Sequence, residues 1–307
     1  MTDILPLAQA APPKPESQLR AIWHQFRAHR GALFGLFILG TLILFVLIGP
    51  LVWHAEALKV AEMLKVKNQG SSVRFPMGTD QLGRDFFARM IAAGKVSLAV
   101  GLTAMLIAIV FGTTIGLMAG YFRRLDGYLM RLTDMFLALP IIPLLLVMVM
   151  LFRDAIAKVL GPELGTFILI VFAIGITSWM QTARVVRGEV LALKEREYVL
   201  AARSIGTPAR RIILRHILPN VISPIMVAAT LGVADAIITE SVLSFLGLGF
   251  PPDFPTWGRL LYDGLPYMQL YPVRVIWPGL AISLTVLSVN YIGDGLRDAL
   301  DPRIRGR

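Results

Sequence analysis

The 307-residue sequence has no cysteine, and only 16% of its residues are charged. The absence of cysteine excludes disulfides, thiolate catalysis and cysteine-ligated metal. Ordinary soluble domains are about 25% charged, so the low charge, with 56% hydrophobic residues and a mean hydropathy of +0.68, indicates a membrane protein. The histidines are scattered without metal-ligand spacing, so we predict no metal site, no cofactor and no catalytic residues. They are His24, His29, His54 and His216.

The sequence also lacks the phosphate-binding loop G-x-x-x-x-G-K-[ST] of ATP-hydrolysing proteins. Gly94-Lys95 comes nearest, but it has neither the upstream glycine nor a Ser or Thr directly after the lysine. The chain is therefore predicted to be non-catalytic, with no ATP hydrolysis by that route.

Six apolar stretches are long enough to cross a bilayer, which takes about 20 residues each. Pro140 and Pro143 in the third stretch and Pro224 in the fifth are expected to kink their helices without ending them. The sequence therefore predicts an all-α membrane protein with six transmembrane helices. Their predicted positions are near residues 31–53, 97–120, 128–152, 165–183, 220–248 and 276–296.

The remaining segments complete the predicted organisation. Residues 1–30 form a tail and a short amphipathic helix, with Leu19, Ile22, Trp23 and Phe26 at helical spacing. Such a helix lies in the membrane interface or simply extends the first span on its cytoplasmic side. The first span is expected to be an uncleaved anchor, because residues 1–20 do not resemble a signal peptide. Residues 54–96 form a long outer loop, and residues 97–307 a core of five helices with a loop at 189–219.

The basic residues indicate the orientation of the chain. With a cytoplasmic N-terminus, inner segments hold 19 of the 30 Lys and Arg residues, and seven of the other 11 lie in the long loop 54–96. This asymmetry follows the positive-inside rule and predicts that both termini are cytoplasmic. The net charge of +10 is then mainly a topology signal, with membrane lipid as a partner rather than nucleic acid.

The segment 197–220, EYVLAARSIGTPARRIILRHILPN, has an internal design that a simple connection does not need. We predict a helix from Glu189 to about Ile205, ended by Gly206 in a left-handed conformation. Thr207 as cap and Pro208 as first helical residue restart the helix, and Pro219 begins a turn into the fifth span. The resulting knob either docks in a groove of another protein or binds lipid headgroups.

The same segment resembles the EAA loop of the permeases of ATP-driven importers, the ABC importers. Ala201, Ala202, Gly206, Leu218 and Pro219 match that pattern, whereas Leu200 and His216 replace its Glu and Ile. The resemblance implies that the loop is a coupling helix seated in a cleft of an ATP-hydrolysing subunit. The residues assigned to this coupling are Ala201, Ala202, Arg203, Gly206, Leu218 and Pro219. Without the Glu, Glu195 and Glu197 are the only nearby acidic substitutes.

Three further segments resemble the dipeptide, oligopeptide and nickel branch of these permeases. They are GTDQLGRDFFARMIAAGKVSL (78–98), ESVLSFLGLG (240–249) and PGLAISLTVLSVNYIGDGLRDALDP (278–302). The ending resembles the C-type subunit. The resemblance implies a six-helix type I permease in the bacterial inner membrane that forms half of a translocation path. Its implied partners are a second permease, two ATP-binding subunits and an extracytoplasmic solute-binding protein that delivers peptides or related solutes.

Other patterns indicate packing rather than chemistry. Gly112, Gly116 and Gly120 recur at four-residue steps in the second span, which lets two helix backbones approach closely. Before this span, Asp80 is expected to cap a helix, and Asp85 to pair with Arg89 four residues later.

Polar side chains inside the predicted spans are candidates for a translocation path or a gate, because they are costly in a membrane. These are Asp235 and Glu240 in the fifth span and Asn290 in the sixth; hydrogen bonding between helices is the alternative for each. A second functional hypothesis is a proton-coupled carrier that uses Asp235 and Glu240 as relay groups.

Overall fold

The computed structural model describes residues 18–53 and 60–300, and the described residues form helices and no β-strand. The predicted tail, residues 1–17, and the chain end, residues 301–307, lie outside the described residues. The helices are α1 (Gln18–Ala28), α2 (Arg30–Val52), α3 (Val60–Lys65), α4 (Phe86–Tyr121), α5 (Arg123–Leu137), α6 (Ile141–Leu160), α7 (Pro162–Leu193), α8 (Glu197–Ser204), α9 (Ala209–Ile212), α10 (Leu218–Phe245), α11 (Trp257–Gly264) and α12 (Val273–Leu300).

The all-helical membrane fold is confirmed. Helices α2, α4, α7 and α12 are each long and apolar enough to cross a bilayer, as is the continuous helical segment from Ala209 to Phe245. A bent pair, α5 with α6, accounts for the third predicted span and brings the number of possible spans to six. Only helices satisfy every backbone N–H and C=O within one chain segment, which lipid requires. Helix α4 begins at Phe86 rather than at residue 97, so the loop before it is shorter than predicted.

The third predicted span is broken, not merely kinked. Helix α5 ends at Leu137 and α6 begins at Ile141, and their axes differ by 84°. The expectation that Pro140 leaves the helix intact is wrong: proline disfavours the α conformation of the residue before it, and here, unlike at Pro224 inside α10, the helix ends. Pro140 itself has ψ 105° and precedes the first residue of α6.

We call residues 194–212 the elbow, and the end of the bundle that carries it the elbow end. The prediction of a helix from Glu189 to Ile205 is wrong, since α7 runs on to Leu193 and α8 starts separately at Glu197. At the N-terminal side, α1 and α2 are likewise separated at His29, so α1 is not a continuous extension of the first span. Phe26 of α1 packs with Ala32 and Ala299 at the elbow end.

Helices α4 and α7 form the central seam of the bundle, and the prediction of close packing there is confirmed. A Cβ atom added at Gly112 would lie 2.6 Å from the Trp179 carbonyl oxygen, and one at Gly116 would lie 2.7 Å from that of Ala183. At Gly120 the nearest atom would be Cβ of Val190, at 2.6 Å. Glycine therefore sets the distance between these two helices.

The loop before α4 is fixed by two carboxylates whose roles differ from those predicted. Asp85, not Asp80, caps α4, accepting hydrogen bonds from the backbone N–H of Phe87 at 2.9 Å and of Ala88 at 3.3 Å. Arg89 does not pair with the Asp85 carboxylate. Its Nη1 donates instead to Oδ2 of Asp80, at 2.8 Å.

Asp80 is the centre of a buried network at the opposite end from the elbow. Its carboxylate accepts from the backbone N–H of Leu82 and Arg84, from Arg84 Nε at 2.7 Å and from Arg89 Nη1. Arg89 also donates from Nη2 to the Pro252 carbonyl oxygen, at 2.9 Å. We call Asp80, Arg84, Arg89 and this carbonyl the Asp80 network; it fixes the loop before α4 to the loop after α10.

Candidate functional sites: the elbow and the cavity

The elbow turns at Gly206, as predicted. Gly206 has φ +80°, the left-handed region that glycine adopts without steric cost. Its N–H donates to the Arg203 carbonyl, and the N–H of Thr207 donates to that of Ala202. These two bonds form a Schellman motif at the end of α8. The restart differs from the prediction, because Pro208 holds the cap position and Thr207 makes no capping bond.

The buried side of the elbow packs mainly through apolar side chains, and Lys194 Nζ donates a hydrogen bond to the Gly120 carbonyl oxygen at 3.1 Å. Val199 and Ala202 of α8 lie in one cluster with residues of α7 and of the segment that leads into α10. Those neighbours are Val186, Val190, Ile212, Ile217, Val221 and Ile225. Because Val199 and Ala202 share one close-packed cluster with residues of α7 and α10, a displacement of α8 would disturb packing that involves both helices.

The outer side of the elbow exposes large apolar side chains. Ile205 is 83% exposed and Leu200 is 40% exposed, and Tyr198 beside them is also exposed. Ala201 and Arg203 complete this surface, whereas Ala202 faces inward. Leu200 stands where the resemblance of the loop predicts a glutamate, so the contact surface here is apolar rather than acidic. Exposed apolar groups on one structured turn are typical of a docking surface.

The segment after the elbow runs directly into the membrane span without the turn predicted at Pro219. Residues Ile213–Ile217 form a π-helical segment, in which the N–H of Leu218 donates to the Ile213 carbonyl. Proline has no N–H and its ring collides with the carbonyl four residues earlier, so a local widening accommodates it. Leu218 packs against the apolar cluster of the elbow, and Pro219 is exposed.

A cavity of about 950 Å³ lies in the elbow half of the bundle. It is bounded by α4, α5, α6, α7, α10 and α12. Its apolar lining includes Met105 and Ile141. Its polar and charged lining comes from α7, α10 and α12 and comprises Thr177, Ser178, Gln181, Thr182, Glu189, Asn220, Ser223, Asp235 and Arg297. The cavity can therefore hold a polar solute of small-peptide size.

The three polar residues predicted for a path lie in different surroundings. Asp235 lines the cavity, whereas Glu240 and Asn290 do not. Asn290 is half-buried on α12. Glu240 is fully buried on another face of α10, since five residues separate it from Asp235.

Glu240 is held in a network of hydroxyl groups. Its carboxylate accepts from Ser244 Oγ at 2.7 Å and from Ser97 Oγ at 3.3 Å. Ser97 in turn accepts from the backbone N–H of Trp257, whose ring is fully buried and donates from Nε1 to the Met90 carbonyl. Glu240 thus joins α4, α10 and α11, which is a packing role.

The sequence reasoning missed Ser178, Gln181 and Glu189 in the cavity wall. Ser178 and Gln181 are one turn apart on α7, and Glu189 follows further along the same helix. Polar residues at helical spacing inside an apolar run were the available signal.

The sequence matches the family described as "binding-protein-dependent transport system inner membrane component" over residues 112–306. It matches the "N-terminal TM domain of oligopeptide transport permease C" over residues 17–64.

Three relatives are similar over nearly their whole lengths. The dipeptide transport system permease protein DppC of Alkalihalophilus pseudofirmus is 39% identical, over 95% of this chain and 94% of its own. The oligopeptide transport system permease protein OppC of Bacillus subtilis is 38% identical, over 92% and 88%. The glutathione transport system permease protein GsiD of Pectobacterium atrosepticum is 38% identical, over 93% and 91%. Neither the family nor these relatives support the proton-coupled alternative.

Proposed function

Since this chain belongs to the family of inner-membrane components of binding-protein-dependent transport systems, we propose that it is a peptide-importing permease subunit driven through its elbow. Its relatives are named for dipeptides, oligopeptides and glutathione, so a short peptide or a related small solute is the proposed cargo. The chain itself performs no catalysis in this proposal. It forms half of the path with a second permease subunit in the bacterial inner membrane.

The observation that carries the proposal is the exposed apolar surface of the elbow. Ile205 lies at the turn that the Schellman motif at Gly206 fixes, and Leu200 lies on α8 before it. Two ATP-binding subunits are proposed to drive transport, and one of them binds this surface in a cleft. The elbow then faces the cytoplasm, as do both termini.

The mechanism follows from the packing behind the elbow. Val199 and Ala202 are buried against α7 and the start of α10, so a push on α8 moves both helices. Both also line the cavity, through Gln181 on α7 and Asp235 on α10. Closure of the ATP-binding subunits would thus change the shape of the cavity, in alternation between inward-open and outward-open states. An extracytoplasmic binding protein supplies the peptide from the other side.

The first test replaces Gly206 with Val in the complete transporter. A β-branched residue does not tolerate φ +80°, and no atom lies within 4 Å of the added Cβ, so the change alters the turn without disturbing packing. We expect uptake and copurification of the ATP-binding subunits to be lost while membrane insertion is retained. Gly188→Ala is the matched control, because Gly188 also has free space but lies inside α7. Normal uptake by the Gly206→Val transporter contradicts the docking role.

A second test changes the exposed surface alone. Ile205→Asp should weaken copurification of the ATP-binding subunits, because it places a charge on the apolar contact. Val73→Asp, at a position 99% exposed in the loop before α4, should have no effect on it. Equal copurification in both variants would refute the apolar contact.

Orientation and energy source have separate tests. The chain has no cysteine, so Ile205→Cys introduces a single thiol that an impermeant maleimide should leave unmodified in intact spheroplasts. Labelling from outside would overturn the assigned orientation. Uptake should continue after collapse of the proton gradient and stop on ATP depletion; the opposite result would favour a proton-coupled carrier.

A further inference from the structure

Asp235 is an acidic group on the cavity wall with no partner in the described part of the chain. Its side chain is exposed to the cavity from the middle of α10. Within residues 18–53 and 60–300 its carboxylate has no hydrogen bond and no ion pair, and Thr239 Oγ1 donates to its backbone carbonyl rather than to its side chain. A carboxylate in a membrane span is costly unless it is paired or lines a water-filled space.

The nearby Glu240 demonstrates how the same helix treats an acidic side chain that serves packing. Glu240 is fully buried and accepts hydrogen bonds from Ser97 and Ser244. Asp235 has no equivalent hydroxyl partners and faces open space. The difference indicates that the Asp235 carboxylate can bind a cation reversibly.

The distribution of charge in the cavity identifies the kind of cation. Gly293 of α12 packs against Thr230 and Leu231 of α10, which fixes the relative level of these antiparallel helices. Arg297 lies one turn from that level towards the elbow, and Asp235 lies one turn from it in the other direction. At 1.5 Å of rise per residue, the Cα atoms of Asp235 and Arg297 are separated by about 12 Å along the bundle axis. Glu189, the third charged residue of the lining, lies near the end of α7.

This separation matches a short zwitterionic peptide, because about 12 Å is the length of three to four extended residues. Starting from the peptide-import function proposed above, we propose that Asp235 binds the protonated amino group of the cargo peptide as it passes through the cavity. Ser178 and Gln181 of α7 supply neutral hydrogen-bonding groups in the same wall. Asp235 is then a specificity-determining residue for solutes that carry a primary amine.

The first experiment measures whether Asp235 attracts cations in the assembled transporter. Leu231→Cys introduces a thiol into the cavity wall one turn from Asp235, in a chain without other cysteines. Its modification by a cationic and by an anionic methanethiosulfonate is followed by mass spectrometry of this subunit. A negative unit charge about 6 Å away in water raises the local concentration of the cationic reagent about threefold and lowers that of the anionic reagent about threefold. Asp235→Asn should therefore lower the cation-to-anion rate ratio by about tenfold.

The matched control carries Asp253→Asn with the same Leu231→Cys substitution. Asp253 is on the exposed loop after α10, with its side chain 90% exposed, and its removal should leave the ratio unchanged. An unchanged ratio in the Asp235→Asn protein overturns the proposal, because the carboxylate is then neutral or paired with the second permease subunit.

The second experiment measures transport by the complete system with trialanine or tetraalanine, whichever the wild-type transporter takes up faster. Asp235→Asn should lower the initial uptake rate severalfold, and Asp235→Glu should restore most of it. Peptide affinity of the separate binding protein stays the same. Full uptake by the Asp235→Asn transporter overturns amine binding while leaving the import function intact. Absence of ATP-dependent uptake of either peptide in the wild type would instead refute the proposed function.

Discussion

At the end opposite the elbow, the buried carboxylate of Asp80 accepts four hydrogen bonds, whereas the elbow end is packed by valine, isoleucine and alanine side chains. Polar contacts exist near the elbow too, among them the hydrogen bond from Lys194 Nζ to the Gly120 carbonyl oxygen, but the ion pairs there are partly exposed. Arg187 is bound to Asp126 and Arg184 to Asp134, with all four side chains partly or largely exposed. Exposed ion pairs of this kind contribute about 0–1 kcal/mol each.

This difference in packing distinguishes the end that carries the Asp80 network, which is held in one geometry, from the elbow end, which can move. A buried ion network has one satisfied geometry, and any shift leaves a charge unpaired. Apolar surfaces have no such directional requirement and can be repacked after a small sliding or rotation. The proposed drive through the elbow needs movement at the elbow end and a stable frame at the other. The next three predictions test this division.

The largest effect is expected from breaking the Asp80 network. Asp80→Ala removes the carboxylate at 2.8 Å from Arg89, which is 8% exposed, and leaves Asp263, at the longer distance of 3.6 Å, as its acidic partner. Removing one partner of a buried pair costs about 3–5 kcal/mol. The midpoint of thermal unfolding of the purified chain in detergent should fall accordingly.

Asp253→Ala is the control for this prediction. Asp253 also contacts Arg84, at 3.5 Å, but its side chain is 90% exposed. The expected cost is below about 1 kcal/mol. If both substitutions lower the midpoint equally, burial of the Asp80 network is not what stabilises this end.

A smaller effect is expected at the elbow half of the central seam. Gly116→Ala places a Cβ 2.7 Å from the Ala183 carbonyl oxygen and must push α7 away from α4. Overpacking of this kind costs about 1–3 kcal/mol. Gly127→Ala on α5 is the control, since its Cβ meets nothing within 4 Å and alanine favours a helix by about 1 kcal/mol. The two substitutions should shift the unfolding midpoint in opposite directions, and a rise in both would show that the seam has room to spare.

Much of the fold could be predicted because lipid allows few solutions. Long apolar runs must be helices, and the glycine spacing at Gly112, Gly116 and Gly120 identified the seam. The break at Pro140 could not be predicted, because proline is accommodated inside many membrane helices and only the surrounding packing decides. The continuous passage from α9 into α10 depends on a π-helical segment that no sequence pattern marks.

The candidate sites were predicted unevenly for similar reasons. The left-handed turn at Gly206 is local, so it could be read from one glycine between two helical stretches. The assignment of Asp80 and Asp85 needed tertiary contacts, such as the hydrogen bond from Trp53 Nε1 to Asp85 at 2.6 Å. Asp235 and Glu240 have the same charge in sequence, and only the structure separates a cavity-facing group from a buried one.

The smallest effect is expected from lowering the pH. This experiment tests whether the charge of Asp80 holds its end of the molecule in place. Burial alone would raise the pKa of Asp80, but the hydrogen bonds from Arg84 and the charges of Arg89 and Arg84 outweigh it and hold the pKa below its usual value. Its stabilising contribution should be complete above the unfolded-state pKa of about 3.9 and be lost as pH falls through the lower folded-state pKa.

Thermal unfolding of the wild type and of Asp80→Asn should therefore be compared from pH 7 down to the acid limit of the detergent sample. Other carboxylates titrate in both proteins, so the quantity of interest is the difference between their midpoints. It should be constant above about pH 5 and shrink below pH 4, because only the wild type has a carboxylate to protonate there. The stability that the wild type loses when Asp80 is protonated should be smaller than the stability lost in Asp80→Ala. The reason is that a protonated carboxyl group still accepts hydrogen bonds from Leu82 and Arg84. A difference that stays constant to the lowest pH would mean that shape and hydrogen bonding, not charge, distinguish this end from the elbow.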